Sequence, residues 1–157
     1  MADNSELIKM LMEKVASLRV ILKQVTDNDG LHWDTPETAR HSIRVLCDSM
    51  GLTWNEKEII TACIYQESGF MNRYKDGSPV KNENKNKAGK VTSTDWGIVQ
   101  VNDYYNIGSG KYWSSVDQVM NNPEKAVRWM ITNYKQGKLS LWSSYKTGAY
   151  KKWLHKV

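Results

Sequence analysis

The chain has 157 residues and a mass of 18.1 kDa, the size of one domain with room for a real core and too little for two. Hydrophobic residues at 40% and charged residues at 25% exclude a disordered chain. Lysine plus arginine at 22 against aspartate plus glutamate at 17 gives a formal net charge of +5, which favours acidic partners such as nucleic acid, anionic membranes or bacterial wall polymers.

The first predicted element is an amphipathic helix over residues 5–25, in which Leu7, Leu11, Val15, Leu18, Leu22 and Val25 recur at threes and fours. Glu6, Lys9, Glu13 and Lys14 interrupt it, so neither a signal peptide nor a membrane span is expected, and packing is its usual meaning. "DTPETARHSIRVLCDSMG" predicts a second helix, with Thr35 as N-cap, Pro36 at the first helical position and Gly51 past the end. "LTWNEKEIITACIYQESG" predicts a third, from the capping-box spacing of Thr53 and Glu56 to the stop at Gly69.

Glu67 closes that third helix on an unusual note. Ile60, Ile64 and Glu67 fall at i, i+4 and i+7, so the stripe that carries the isoleucines into a core carries a carboxylate with them. Desolvation and the negative end of the helix dipole both disfavour the ionised form. A carboxylic acid still protonated near neutral pH is what a general acid requires.

From Met71 to Thr94 large apolar residues almost vanish, and Asp76-Gly77, Ser78-Pro79 and Ala88-Gly89 read as turns, which predicts a long loop or a small β-ribbon. "WGIVQVN" then packs small and β-branched residues around Gln100, which fits the outward residue of a strand. "NNPEKAVRWMITNYKQG" predicts a helix with Asn122 as cap and Pro123 at its first position, and the aromatic-rich tail predicts one or two short helices. Outside "KNENKNKAGK" the basic residues are scattered, leaving no arginine-rich arm and no basic helix face, so nucleic acid is not an expected partner. His32, His41 and His155 lack ligand spacing, so no metal and no cofactor is expected. Cys47 and Cys63 read as two buried free thiols.

Four stretches in order, "QESGF", "GIVQVN", "NNPEKAVRWM" and "SSYKTG", resemble the lysozyme superfamily, in particular the lytic transglycosylases related to the soluble lytic transglycosylase domain and to goose-type lysozyme. The resemblance covers the chain from about Thr53 onward and implies a mainly α, lysozyme-like α+β fold: one domain over 1–157, with N-terminal helices in 1–50 and a catalytic core in 51–157. It implies that Glu67 is the catalytic glutamate followed by a serine, Ser68, and that Gln100 belongs to a wall of the cleft. Tyr145 would be the tyrosine that approaches the glutamate, with Ser144 and Lys146 in place of the family's flanking alanine and asparagine. "STDWGIVQVN" is similar to a segment of animal-type lysozymes whose aspartate is a second catalytic carboxylate, which maps onto Asp95.

The implied activity is cleavage of the β-1,4 bond between N-acetylmuramic acid and N-acetylglucosamine in peptidoglycan. A lytic transglycosylase would use Glu67 as acid and then base; a hydrolytic lysozyme would add Asp95. A non-catalytic wall-binding or virion module is the reading of another class, and chitin stays open as a substrate. Substrate contacts are expected from Ser68, Trp96, Gln100, Asn102 and Tyr145. Some of the candidates also have a plain structural reading: Asp95 can cap a turn, and Trp96 and Tyr145 can fill core or rim. A monomer acting at the cell wall, by export or phage delivery, completes the expectation.

Overall fold

The computed structural model describes residues 4–27 and 30–157, with side chains described over 4–19 and 30–157. It is a mainly helical α+β structure of seven α-helices and one small three-stranded antiparallel sheet among those residues. The chain divides between Leu31 and His32 into two compact units.

The first unit holds α1 (Asn4–Asp27). Leu7, Leu11, Val15 and Leu18 of the expected stripe are all exposed on it, while Leu22 and Val25 lie outside the described side chains. No helix among the described residues is long and apolar enough to cross a membrane.

The second unit begins with α2 (Pro36–Ser49) and α3 (Trp54–Ser68), each opened by a reciprocal cap. At α2 the partner of Thr35 is Thr38, whose hydroxyl accepts the Thr35 N–H at 3.1 Å where a glutamate or glutamine is more usual. At α3 the Thr53–Glu56 box forms as its spacing predicts. The second oxygen of Glu56 accepts the Tyr134 hydroxyl at 2.6 Å, tying the start of α3 to the last turn of α6 (Pro123–Lys135).

The core between these three helices is made by Ile43, Leu46 and Cys47, by Ile60, Cys63 and Ile64, and by Val127, Met130 and Ile131. Both cysteines are free and buried, and burial pushes each thiol up to about 12. A partly buried ion pair joins α2 to α3, with Arg44 Nη2 2.6 Å from Glu58 Oε1. The charge of Glu58 therefore does not stand alone inside the protein.

The polar stretch after α3 folds as a β-ribbon. β1 (Lys81–Lys85) pairs with β2 (Val91–Trp96), and β2 with β3 (Val101–Asn102), setting Asn82 opposite Asp95, Asn84 opposite Ser93 and Asp95 opposite Asn102. Both faces of the ribbon are polar, which is why its sequence lacks the apolar alternation of a half-buried strand. Asn86 Oδ1 closes the hairpin by accepting the N–H groups of Ala88 and Lys90, each at 3.0 Å.

Between β2 and β3 the chain reverses in the turn Gly97-Ile98-Val99-Gln100, with left-handed backbone at Gly97 and Gln100. Gln100 is therefore a turn residue, not the outward residue of a strand. Ile98 and Val99 are fully buried, so their peptide groups need partners inside the protein. Ser68 Oγ donates to Ile98 O at 2.7 Å, Trp142 Nε1 donates to Val99 O at 2.6 Å, and Ile98 N–H donates to Asn72 Oδ1 at 3.1 Å. The Asn72 amide also donates to Met120 O at 2.8 Å, at the end of α5 (Val116–Met120). A Cβ on Gly97 would stand 2.7 Å from Asn72 Oδ1, so only glycine allows this approach.

After β3 come α4 (Asp103–Asn106), α5 and α6. Asn122 occupies the N-cap position of α6, but its side chain makes no capping bond and donates back to Gln118 O at 2.7 Å. The tail forms α7 (Ser143–Lys146) between the 3-10 turns Leu139–Leu141 and Ala149–Trp153.

Replacing Asn72 by alanine strips partners from two buried peptide groups. The expected cost is about 3 kcal/mol of unfolding free energy, read as a lower midpoint in urea denaturation.

Candidate active site

Glu67 sits in the last turn of α3, beside the buried Ile60 and Ile64, and is itself partly buried. The hydroxyl of Ser68, the next residue, is spent on Ile98 O and Ile64 O, so Ser68 fastens the helix end to the 97–100 turn. One backbone donor reaches the Glu67 carboxylate: the Ser144 N–H, 3.3 Å from Oε1. Burial raises the pKa of Glu67 above the usual carboxylate range, and the negative charge of Asp95 pushes it further the same way. The hydroxyl and the N–H of Ser144 act against that rise. Ser144 Oγ is buried with no partner in well-formed hydrogen-bond geometry, yet lies near enough to favour the ionised carboxyl.

Asp95 is held quite differently. Asn84 Nδ2 donates to its Oδ2 at 2.9 Å and Asn102 Nδ2 donates to its Oδ1 at 2.8 Å. The register explains the trio, since Asn102 is directly opposite Asp95 and Asn84 is its diagonal neighbour across β1. A carboxylate only accepts, so both asparagines must turn their NH2 groups toward it. Asn102 then has its Oδ1 free to accept the Tyr105 N–H at 3.2 Å, which caps α4 and fixes the amide. Ser93 Oγ accepts from both asparagines, at 3.2 and 3.1 Å.

The other expected contact residues divide. Asn102 joins Asp95 directly. Trp96 follows Asp95 along β2 and so projects to the opposite face of the sheet, where its Nε1 meets Asp103 Oδ2 at 3.3 Å and Lys81 lies over its ring. The structure does not bring Trp96 together with the two carboxyls. Gln100 turns its amide inward, donating to Gly97 O at 2.8 Å and Val80 O at 3.4 Å. Tyr145 is more than a third exposed, stacks on Tyr150 at 5.4 Å, and makes no hydrogen bond to Glu67.

Sequence reasoning missed Asn72, Asn84 and the donor role of Ser144. The alternation in "KNENK" was the available signal for Asn84, because residues two apart in a strand share a face.

Among the described residues no group of three histidine, cysteine, aspartate or glutamate side chains is placed to hold a metal ion. A cavity of about 650 Å³, lined by Arg40, Tyr65, Phe70 and His155 among others, contains neither carboxyl. The candidate site thus rests on the surroundings of two carboxyls and not on this hollow. Comparison of the chain with protein-family models, curated proteins and solved structures finds no match.

The raised pKa of Glu67 fixes the sign of a stability effect. A carboxyl whose folded pKa exceeds its unfolded value of 4.5 stabilises the fold fully below that value, and the contribution is lost as pH rises through the folded pKa. Glu67→Gln keeps the neutral form at every pH. The variant is expected to melt above the parent at pH 7 to 8, with the difference closing below pH 4.5, as followed by thermal denaturation across the pH range.

Proposed function

We propose that the chain is a glycosidase that cuts the β-1,4 bond between N-acetylmuramic acid and N-acetylglucosamine in peptidoglycan, with Glu67 as the general acid. The observation that carries this reading is the contrast between two carboxyls: Glu67, desolvated and pushed toward its neutral form, and Asp95, held by two amide donors. A carboxyl pushed toward its neutral form is what a general acid requires. The four stretches that resemble the lysozyme superfamily supply the substrate class, and the net charge of +5 suits an anionic wall polymer.

Protonated Glu67 gives its proton to the leaving glycosidic oxygen as the bond to the anomeric carbon breaks, leaving an oxocarbenium-like centre and an ionised Glu67. Two endings follow. In a lytic transglycosylase the muramoyl C6 hydroxyl attacks the anomeric carbon while Glu67 takes its proton, giving an anhydro sugar and needing no second carboxylate. In a hydrolase Asp95 stabilises or traps the cation and water, deprotonated by Glu67, completes the cleavage. More of the chain resembles the transglycosylase branch. The two-amide hold on Asp95, and the effect of its charge on Glu67, favour the hydrolytic ending. Either ending places the activity at the cell wall.

Mass spectrometry of the soluble products of purified peptidoglycan tests the reading. Glu67→Gln is expected to lower the rate at least about 100-fold. Reducing muramic ends that disappear with Asp95→Asn mark the hydrolase, whereas anhydromuramic ends that persist in Asp95→Asn mark the transglycosylase. Equal clearing of cell walls by the parent and Glu67→Gln would sink the catalytic reading and favour a wall-binding module.

A further inference from the structure

Ser144 stands beside Glu67 with a hydroxyl for which the proposed cleavage has no use. It is the second residue of α7, is 2% exposed, and has a hydroxyl with no well-formed partner. A buried hydroxyl left in that condition is costly and calls for a cause. Its surroundings offer one, because the same residue's N–H already reaches Glu67 Oε1 at 3.3 Å and its hydroxyl lies beside both the Glu67 carboxyl and the Cys63 thiol. The resemblance drawn from the sequence puts an alanine at this place. An alanine could supply the peptide donor but not the hydroxyl.

We propose that Ser144 is a positioning residue for Glu67, its peptide N–H and buried hydroxyl forming a two-donor clamp that receives the carboxylate once the proton has been given away. The proposal rests on the reading of Glu67 as general acid. With Glu67 protonated, the one long hydrogen bond from the Ser144 N–H suffices and the hydroxyl is idle. With Glu67 ionised, the hydroxyl rotates onto it, so the clamp strengthens as the proton leaves, which is when stabilisation lowers the barrier.

The other groups around the carboxyl do not provide this. Asp95 of β2 opposes ionisation, and Cys63 on the same helix is a neutral thiol pushed up to about 12. Tyr145 of α7 is turned onto Tyr150 of the last 3-10 turn, and Lys146, Lys151 and Lys152 are exposed. Across the core, Arg40 and Arg44 of α2 act on Glu58.

The test is a carbon-13 NMR titration of the Glu67 side-chain carboxyl in the full chain, for the parent, Ser144→Ala and Ser144→Thr. Loss of a donor to the charged form raises a carboxyl pKa. The Glu67 midpoint is expected to move up in Ser144→Ala and to return toward the parent's in Ser144→Thr, which keeps the hydroxyl. In the parent, the Ser144 amide proton is expected to shift along the Glu67 curve. On peptidoglycan, the alkaline limb of the pH–rate profile moves up with the midpoint in Ser144→Ala, and kcat falls about tenfold, the scale of one hydrogen bond to a charged group.

A Ser144→Ala titration superimposable on the parent's, or a Ser144 amide proton indifferent to it, would overturn the clamp. So would a threonine variant that titrates like the alanine one. The carboxyl titration judges the clamp without any turnover, whereas activity that survives Glu67→Gln counts against Glu67 as general acid alone.

Discussion

The buried amide of Asn72 is the joint on which the rest of the second unit depends. Its two ends face different parts of the chain: Oδ1 takes the Ile98 N–H and Nδ2 reaches Met120 O. Its own backbone carbonyl accepts from Val80, whose carbonyl accepts from Gly97. The 97–100 turn is thereby bound to the chain just after α3, to the lead-in of β1 and to the end of α5. Ser68 and Trp142 complete the hold from α3 and from the tail. Because the helix carrying Glu67 and the strand carrying Asp95 both run into this joint, the relation between the two carboxyls is set by buried polar bonds and not by loop conformation.

The two carboxyls show how a fold gives like groups unlike surroundings. Glu67 is desolvated by a helix packed on a core and has few donors, while Asp95 stands on a polar sheet where amides are plentiful. Asn102 illustrates the economy of the second arrangement, since one side chain holds Asp95 with its nitrogen and caps α4 with its oxygen. The same doubling appears at Glu56, which caps α3 with one oxygen and binds Tyr134 with the other.

What the sequence made legible follows from the range of the interactions involved. Caps and stops are local, so Thr35, Thr53 and Gly69 marked α2 and α3 correctly. Asn122 marked the start of α6 as well, although its amide donates to a competing carbonyl one turn back in α5 instead of capping the helix. Glu67 stood out since helical periodicity is also local. The hold on Asp95 did not, because register across three strands decides it, and those strands lack an apolar face to announce themselves. Trp96 shows the same dependence on register: residues adjacent along a strand lie on opposite faces, so its neighbour position to Asp95 does not put the two on one face. Gln100 belongs to a turn whose left-handed backbone no side-chain pattern foretold.

The polar ribbon has a consequence for how the molecule behaves among its neighbours. β1 is an outer strand, with one side of its backbone unpaired by the sheet. An open edge of that kind is a template on which another chain can add a strand. Here it alternates Lys81, Glu83 and Lys85 with Asn82 and Asn84, so an incoming strand would meet charge on one face and amides on the other. β3, at the far side, is two residues long and passes at once into α4. The composition that supplies Asp95 with its donors thus also guards the sheet against aggregation.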